Sequence, residues 1–314
     1  FKQLESINPD DYDGSVVIGG GTTLYDSTYN AIVATKDYGK MLVDQDFMAN
    51  AIIFVITDGC DYGSSLTANE VKKAIAETRK AIGPDKVIGM RISADEHEPD
   101  GLDAPAWLRI CERLNQESEL DFINVTVGSM MGPGGSIHVV PPMEIALAYT
   151  APQAGQIKAV MDKTIMVAGR INQPQLAEQI LAAGQAHMCG MTRAMISDPE
   201  MPNKAKTGTL DDIRACIGCN QACIGHYHMG VPISCIQNPL SGRELTLGSH
   251  PPAARNRKVL VAGGGPGGMK AASVAAERGH TVTLCEGSSA LGGQALLAQL
   301  IPNRSEFGRI VENL

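Results

Sequence analysis

The chain reads as an α/β protein: a TIM (β/α)8 barrel, then a cysteine-rich segment, then the start of a Rossmann-like domain. Three observations predict this. Short β-branched runs alternate with amphipathic helical stretches through the first 205 of 314 residues. Four cysteines then crowd into the pattern C-x2-C-x3-C-x11-C. After a polar, proline-rich linker at 248–258, a strand–turn–helix–strand rhythm begins again. The predicted boundaries are 1–205 for the barrel, 206–250 for the cysteine segment and 251–314 for the second domain.

In chain order, 15–21, 51–57, 86–93, 121–128, 164–171 and 186–191 have the composition of strands. Helical patterns fill 67–83, 105–116, 151–163 and 173–185. Strands apolar on both faces, with helices between them, imply a parallel sheet covered on both sides. Repeats this regular favour a barrel over an open sheet. Only six such strands can be followed, so the barrel is expected to be incomplete at its start, and the residues to belong to a longer chain.

Composition narrows the function. A net charge of −8 gives no basic surface to track a phosphate backbone, which argues against nucleic acid. The longest apolar run, 51–57, is far too short to cross a bilayer. Abundant glycine (34) and scarce aromatics (4 %) suit an α/β enzyme rich in tight turns. With no secretory signal and unpaired thiols, a cytoplasmic setting is expected.

Cys216, Cys219, Cys223 and Cys235 admit three readings. Two disulfides need an oxidising compartment. Structural zinc usually shows two separated C-x2-C knuckles, or histidine at set spacing. Three clustered thiolates and one more distant suit a [4Fe–4S] cluster best. Zinc or no metal stays open. His226 and His228 lie inside the loop and read as outer groups, because four thiolates already complete a ligand set.

Gly263, Gly265 and Gly268 form G-x-G-x-x-G between a strand and a helix, and Glu286 follows 18 residues after Gly268. That context marks a dinucleotide turn: tight turn, close approach to a pyrophosphate, and close helix–strand contact, in that order. The helix N-terminus faces the negative charge, and Glu286 is placed to accept ribose hydroxyls. Gly293 and Gln294, in LGGQ, form either a second close-approach turn for the same ligand or a bare structural turn. In the barrel, Gly169 and Arg170 end one strand while Gly190 and Arg193 follow the next. Consecutive loops at that face are the usual phosphate cradle of such barrels, and guanidinium groups suit a phosphate monoester. Solvated loop arginines are the alternative.

The runs GQAHMCGMTRAMISDPEMPNKA, DDIRACIGCNQACIG, SCIQNP, VLVAGGGPGGMKAA and LGGQ resemble the NADH:flavin oxidoreductase family, which includes trimethylamine dehydrogenase and 2,4-dienoyl-CoA reductase. The resemblance extends from about residue 85 to the C-terminus. It implies FMN in the barrel, a [4Fe–4S] cluster beside it, and FAD or ADP, with NAD(P)H, in the second domain. By position, Arg91 resembles the arginine at the flavin pyrimidine edge, where a cation stabilises the reduced flavin. Gly169, Arg170, Gly190 and Arg193 resemble the FMN phosphate clamp. Three departures stand out: the first barrel strand is not recognisable, the substrate motif after the fourth strand is absent, and the second domain stops early.

Three functions follow. The first is oxidative N-demethylation of a small N-methylated amine or amino acid, of the N-methylproline kind, with His138 and Tyr149 lining the substrate pocket. The second is NAD(P)H-dependent reduction of an enoyl or dienoyl thioester. The third is a non-catalytic electron-transfer subunit. The expected partners are a small-molecule substrate, an electron-transfer partner and, in a homo-oligomer, further copies of the chain.

Overall fold

The computed structural model describes residues 86–248 and 250–314, and separately 33, 34, 37, 40, 41, 44, 73, 75–77, 79, 80, 83 and 84. The strands expected at 15–21 and 51–57 lie outside the described residues. Of the helix expected at 67–83, the described positions 73, 75–77, 79 and 80 are helical.

Four strands, β1 (Gly89–Ser93), β2 (Phe122–Thr126), β3 (Thr164–Ala168) and β4 (Met188–Gly190), pair in chain order, all parallel. Their register builds two different faces. Ile92, Val125 and Val167 lie side by side, as do Ile123 and Ile165, all at most 1 % exposed. This face packs on helices α1 (Ala104–Glu117) and α3 (Ala151–Val160) through Trp107, Cys111, Ala154 and Ile157. The opposite face carries Arg91, Asn124 and Met166 in one row. A face with a charge and an amide at its centre is not a structural core, so it sets the position of the site.

Helix α1 forms where its N-terminal signals put it. The Asp103 carboxylate accepts the Ala106 N–H at 2.9 Å, and Pro105 occupies the first turn. Its apolar stripe turns Trp107 and Cys111 inward. Helix α2 (Pro133–Val139) departs from expectation, since P-G-G is a poor helix former. Tertiary contacts account for it. The Glu98 carboxylate accepts the Gly135 N–H at 3.1 Å and the Ser129 hydroxyl at 3.3 Å. A Cβ at Gly135 would stand 2.5 Å from that carboxylate, so only glycine fits there. Helices α4 (Pro174–Ala182), α5 (Thr192–Ser197), α6 (Met201–Thr207), α7 (Ile224–His228) and α8 (Glu244–Leu247) lead on through the cysteine segment.

Strand β5 (Lys258–Ala262), helix α9 (Pro266–Glu277) and parallel strand β6 (Thr281–Cys285) follow. Two short helices, α10 (Gln294–Ala298) and α11 (Gly308–Asn313), close the chain. Residues 87–314 belong to one compact unit, so contacts between the sheet, the cysteine segment and the last helices lie within it. No helix among the described residues is long and apolar enough to cross a membrane.

Candidate functional site

The site gathers on the polar face of the parallel strands and in the loops that follow them. Arg91 rises from β1 into the row shared with Asn124, whose Nδ2 donates to Met166 Sδ at 3.0 Å. The Asn124 Oδ1 is buried with no hydrogen-bond partner among the described residues. Burial holds the Arg91 guanidinium below its ordinary value, and nearby Tyr149 opposes the shift. Among the described residues no carboxylate forms an ion pair with Arg91. A half-buried cation beside an unmet acceptor suits a planar ligand carrying both acceptors and donors, as a flavin pyrimidine does.

Tyr149 stands near Arg91 and Arg193. Burial pushes its phenol up to about 12, while the Arg193 and Arg91 charges pull it down. Its hydroxyl donates to the His138 carbonyl. The His138 ring tilts against Tyr149 at 5.8 Å between centroids, and its Nδ1 donates to the Gly134 carbonyl at 2.9 Å. The structure thus brings His138, Tyr149, Arg91 and Arg193 to one mouth. The sequence reading missed His97, which stacks on His138 with centroids 4.1 Å apart. Its backbone N–H donates to Asp95 at 2.9 Å, and its Nδ1 lies 3.6 Å from the same carboxylate. A histidine two residues beyond an aspartate at a strand end was the available signal.

The phosphate clamp needs a correction. Ala168 pairs with Gly190, so the two loops do emerge side by side. Gly169 faces Thr150 and Tyr149, where a Cβ would lie 2.5 Å from the Thr150 hydroxyl oxygen. The Arg170 side chain, however, is 3 % exposed and committed elsewhere. Its Nη1 donates to the Met143 carbonyl at 3.0 Å and to that of Ile145, and Nη2 pairs with Glu306. A guanidinium already neutralised by a buried carboxylate is not open to a phosphate. Among the described residues, Arg193 donates from Nη1 alone, to the Pro141 carbonyl at 2.8 Å and to Asn220 Oδ1 at 2.6 Å. Its remaining N–H edge is available to an anion.

Asn220 carries the link onward. It sits between two of the cysteines with φ +57°, and its Nδ2 donates to the Val140 carbonyl at 2.7 Å. Cys216, Cys219, Cys223 and Cys235 are free thiols that line one small pocket with Arg193 and Asn220. Burial pushes the Cys219 thiol up to about 11, with Cys216, Cys223 and Cys235 adding to the shift and a Gln221 N–H opposing it. Cys216 is raised likewise, against a Gly218 N–H at 3.4 Å. Four thiols around one pocket, with an N–H donor to sulfur, have the chemistry of thiolate metal ligands.

At the glycine turn, Gly263 has φ +102°. A Cβ at Gly268 would fall 2.0 Å from the Gly263 carbonyl oxygen, which explains the third glycine. Gly293 comes close to the turn, since a Cβ there would lie 3.1 Å from Gly265 Cα, and the Gly292 N–H donates to the Gly264 carbonyl at 2.7 Å. Gln294 opens α10 directly behind it. Glu286 accepts the Gly264 N–H at 2.6 Å and the Ser288 N–H at 2.8 Å, and these bonds, Ser288 first, hold its carboxyl below the usual range. It therefore braces the turn, with lone pairs left for a ribose.

The fold is thus a parallel α/β sheet with a cationic mouth, joined to a strand–glycine turn–helix–strand unit. Residues 69–212 match the NADH:flavin oxidoreductase / NADH oxidase family, and residues 258–305 match the FAD dependent oxidoreductase family. The chain belongs to the NADH:flavin oxidoreductase / NADH oxidase family. It is 38 % identical over 250 residues to a metal reductase of Desulforamulus reducens, covering 78 % of this chain and 36 % of that protein. It is 39 % identical over 245 residues to an N,N-dimethylglycine/sarcosine dehydrogenase of Chromohalobacter salexigens, covering 77 % and 35 %. Identity to a probable N-methylproline demethylase of Rhizobium meliloti is 36 % over 257 residues, covering 80 % and 37 %. A solved 2-naphthoyl-CoA reductase, in complex with 2-naphthoyl-CoA, matches with TM-score 0.79 and 27 % identity over 92 % of this chain and 45 % of that one. The chain thus spans little more than a third of the length of these curated relatives.

Proposed function

We propose that the chain is the flavin- and cluster-bearing part of an oxidoreductase that oxidatively demethylates a small N-methylated amine or amino acid. The parallel strands would form part of a (β/α)8 barrel holding FMN. Cys216, Cys219, Cys223 and Cys235 would hold a [4Fe–4S] cluster, and the turn at Gly263, Gly265, Gly268, Glu286, Gly293 and Gln294 would open a Rossmann-like domain for FAD or ADP. The observation that carries this reading is one side chain. Arg193 lies beside Tyr149 at the mouth and donates to Asn220 within the cysteine loop, so a two-electron site and a one-electron centre would be neighbours. The similarity to a dimethylglycine/sarcosine dehydrogenase and a demethylase supports the substrate class.

When bound, FMN would supply a hydride acceptor for the N-methyl carbon and the cluster a one-electron relay. The chain's own residues do the rest. Arg91 places a positive charge at the flavin pyrimidine edge, where negative charge builds up. Asn124 Oδ1 offers an acceptor in the same row. Backbone at 169–170 and 190–193, with Arg193, holds the phosphate. His138 and Tyr149 wall the substrate side. The substrate iminium then takes up water, giving formaldehyde and the shorter amine.

A second reading, reduction of an enoyl or aryl thioester, draws on the similarity to 2-naphthoyl-CoA reductase. It needs a group that protonates carbon. Tyr149 is poorly suited, because its proton is committed to the His138 carbonyl and its pKa is high. Anaerobic assays of the full-length protein separate the readings. Formaldehyde from N-methylproline or dimethylglycine supports demethylation. NAD(P)H oxidation with an enoyl thioester, without formaldehyde from any N-methylated amine, overturns it. A purified protein with no bleachable flavin colour leaves a non-catalytic carrier.

A further inference from the structure

We propose that Arg170 is a positioning residue that couples docking of the 304–310 segment to the loop that takes the flavin phosphate. The inference rests on the flavin reading above and goes beyond it. Arg170 belongs to two structures at once. Its backbone follows Gly169 at the end of β3, beside the β4 loop. Its side chain leaves that loop, runs beneath residues 143–145 and ends on Glu306, 136 residues further along the chain.

The backbone is held in a shape it would not choose. Arg170 has φ +48°, the left-handed region that side-chain-bearing residues avoid. Nothing in the local sequence favours it, and no glycine or asparagine stands there. The anchors account for it. The Arg170 carbonyl accepts the Ala148 N–H at 3.3 Å while the guanidinium reaches two further carbonyls and a carboxylate. The Arg170 side chain is 3 % exposed and that of Glu306 15 %, so the pair is shielded from solvent screening. Around it, Phe307 and Ile310 pack with Met143 and Ile217, and Arg304 lies 3.8 Å from Glu144 at the more exposed rim.

Removing the Glu306 charge leaves a buried guanidinium without its counter-ion. The side chain then withdraws, and the strained backbone loses what fixes it. A phosphate that needs the present loop shape binds more weakly. Coupling of this kind is reciprocal, so phosphate binding must in turn steady residues 304–310.

The test uses the full-length protein and two probes, FMN and riboflavin, which differ by the phosphate alone. Glu306→Gln should weaken FMN binding about tenfold and leave riboflavin binding unchanged. Glu144→Ala, which breaks only the rim pair, should leave both unchanged. In the unmodified protein, hydrogen exchange at 304–310 should slow with FMN and not with riboflavin. This last arm needs no variant, so it decides even where Glu306→Gln fails to fold. Equal loss of both ligands, tighter FMN binding in Glu306→Gln, or exchange at 304–310 indifferent to FMN would each overturn the coupling while the flavin reading stands. Failure of the unmodified protein to bind either flavin would remove the flavin reading, and the coupling with it.

Discussion

Two neighbouring glycines at the start of α9 should respond to alanine in opposite directions. At Gly268 a new Cβ would sit 2.0 Å from the Gly263 carbonyl oxygen and 3.4 Å from Val261 Cγ1. A carbon and a carbonyl oxygen normally stay about 3.3 Å apart or more, so the helix or the turn must give by over an ångström. The obstacle is backbone, which cannot swing aside as a side chain can. Overpacking of this kind costs about 1–3 kcal/mol. At Gly267 a Cβ meets nothing within 4 Å, so alanine there should gain about 0.5–1 kcal/mol from reduced chain entropy in a helix. The two variants should therefore differ by about 1.5–4 kcal/mol in urea unfolding followed by circular dichroism. Gly268→Ala should also lose ADP affinity in calorimetry, because displacement of α9 moves the N–H groups that would face a pyrophosphate. Equal stabilities and equal ADP affinities for the two variants would refute this account of the turn.

Tyr149 sets a pH window. Its phenol ionises near 10.0 when unfolded and at about 12 when folded, so the folded form holds the extra proton between those values and stability falls as pH rises through them. Tyr149→Phe should flatten that part of the urea-midpoint profile and leave the His138 carbonyl unpaired, at about 1–3 kcal/mol; a slope identical to the unmodified protein's would rule this out. Arg91→Ala should lower the flavin midpoint potential and slow anaerobic flavin bleaching by substrate about 100-fold, so an unchanged potential excludes Arg91 from the pyrimidine edge. Serine at Cys216, Cys219, Cys223 or Cys235 should abolish iron and acid-labile sulfide uptake in anaerobic reconstitution, whereas serine at the exposed Cys285 should not. Zinc alone in the purified protein, with no iron, would end the cluster assignment.

Residue patterns gave away what local chemistry controls. The β-branched runs of β2 and β3 were legible because one face is buried outright, by Ile123, Val125, Ile165 and Val167. Their ends were overestimated because 127–128 and 169–171 leave the ladder to build loops. The cysteine segment was legible as a local spacing, and its four thiols line one pocket. Helix α2 was not, since its support comes from Glu98, 37 residues from Gly135. The role of Arg170 was hidden for the same reason on a larger scale. An arginine after a glycine on a strand-end loop reads as a phosphate ligand, whereas this one's guanidinium ends on Glu306. Glu286 shows a milder case, in which the residue was found but its first duty, bracing Gly264 and Ser288, lay in backbone geometry.

The two connections made by Arg193 and Arg170 differ in kind. Arg193 reaches from the mouth to Asn220, and Asn220 returns a bond to Val140 beside Pro141, closing a short loop of hydrogen bonds. Cutting one of these bonds leaves the others to hold the cysteine loop against the mouth. Under the proposed assignment, the spacing of flavin and cluster is therefore a built-in length, insensitive to the second domain. The glycine turn reaches the same unit through the 304–313 segment, by the Arg170–Glu306 pair, the Arg304–Glu144 contact and an Arg214–Asn313 bond of 3.3 Å. Those contacts involve one stretch of chain and can be lost together. With FMN saturating, electron transfer between flavin and cluster should thus withstand perturbation of 304–313, while transfer to or from the second nucleotide should not, in whichever direction the electrons run.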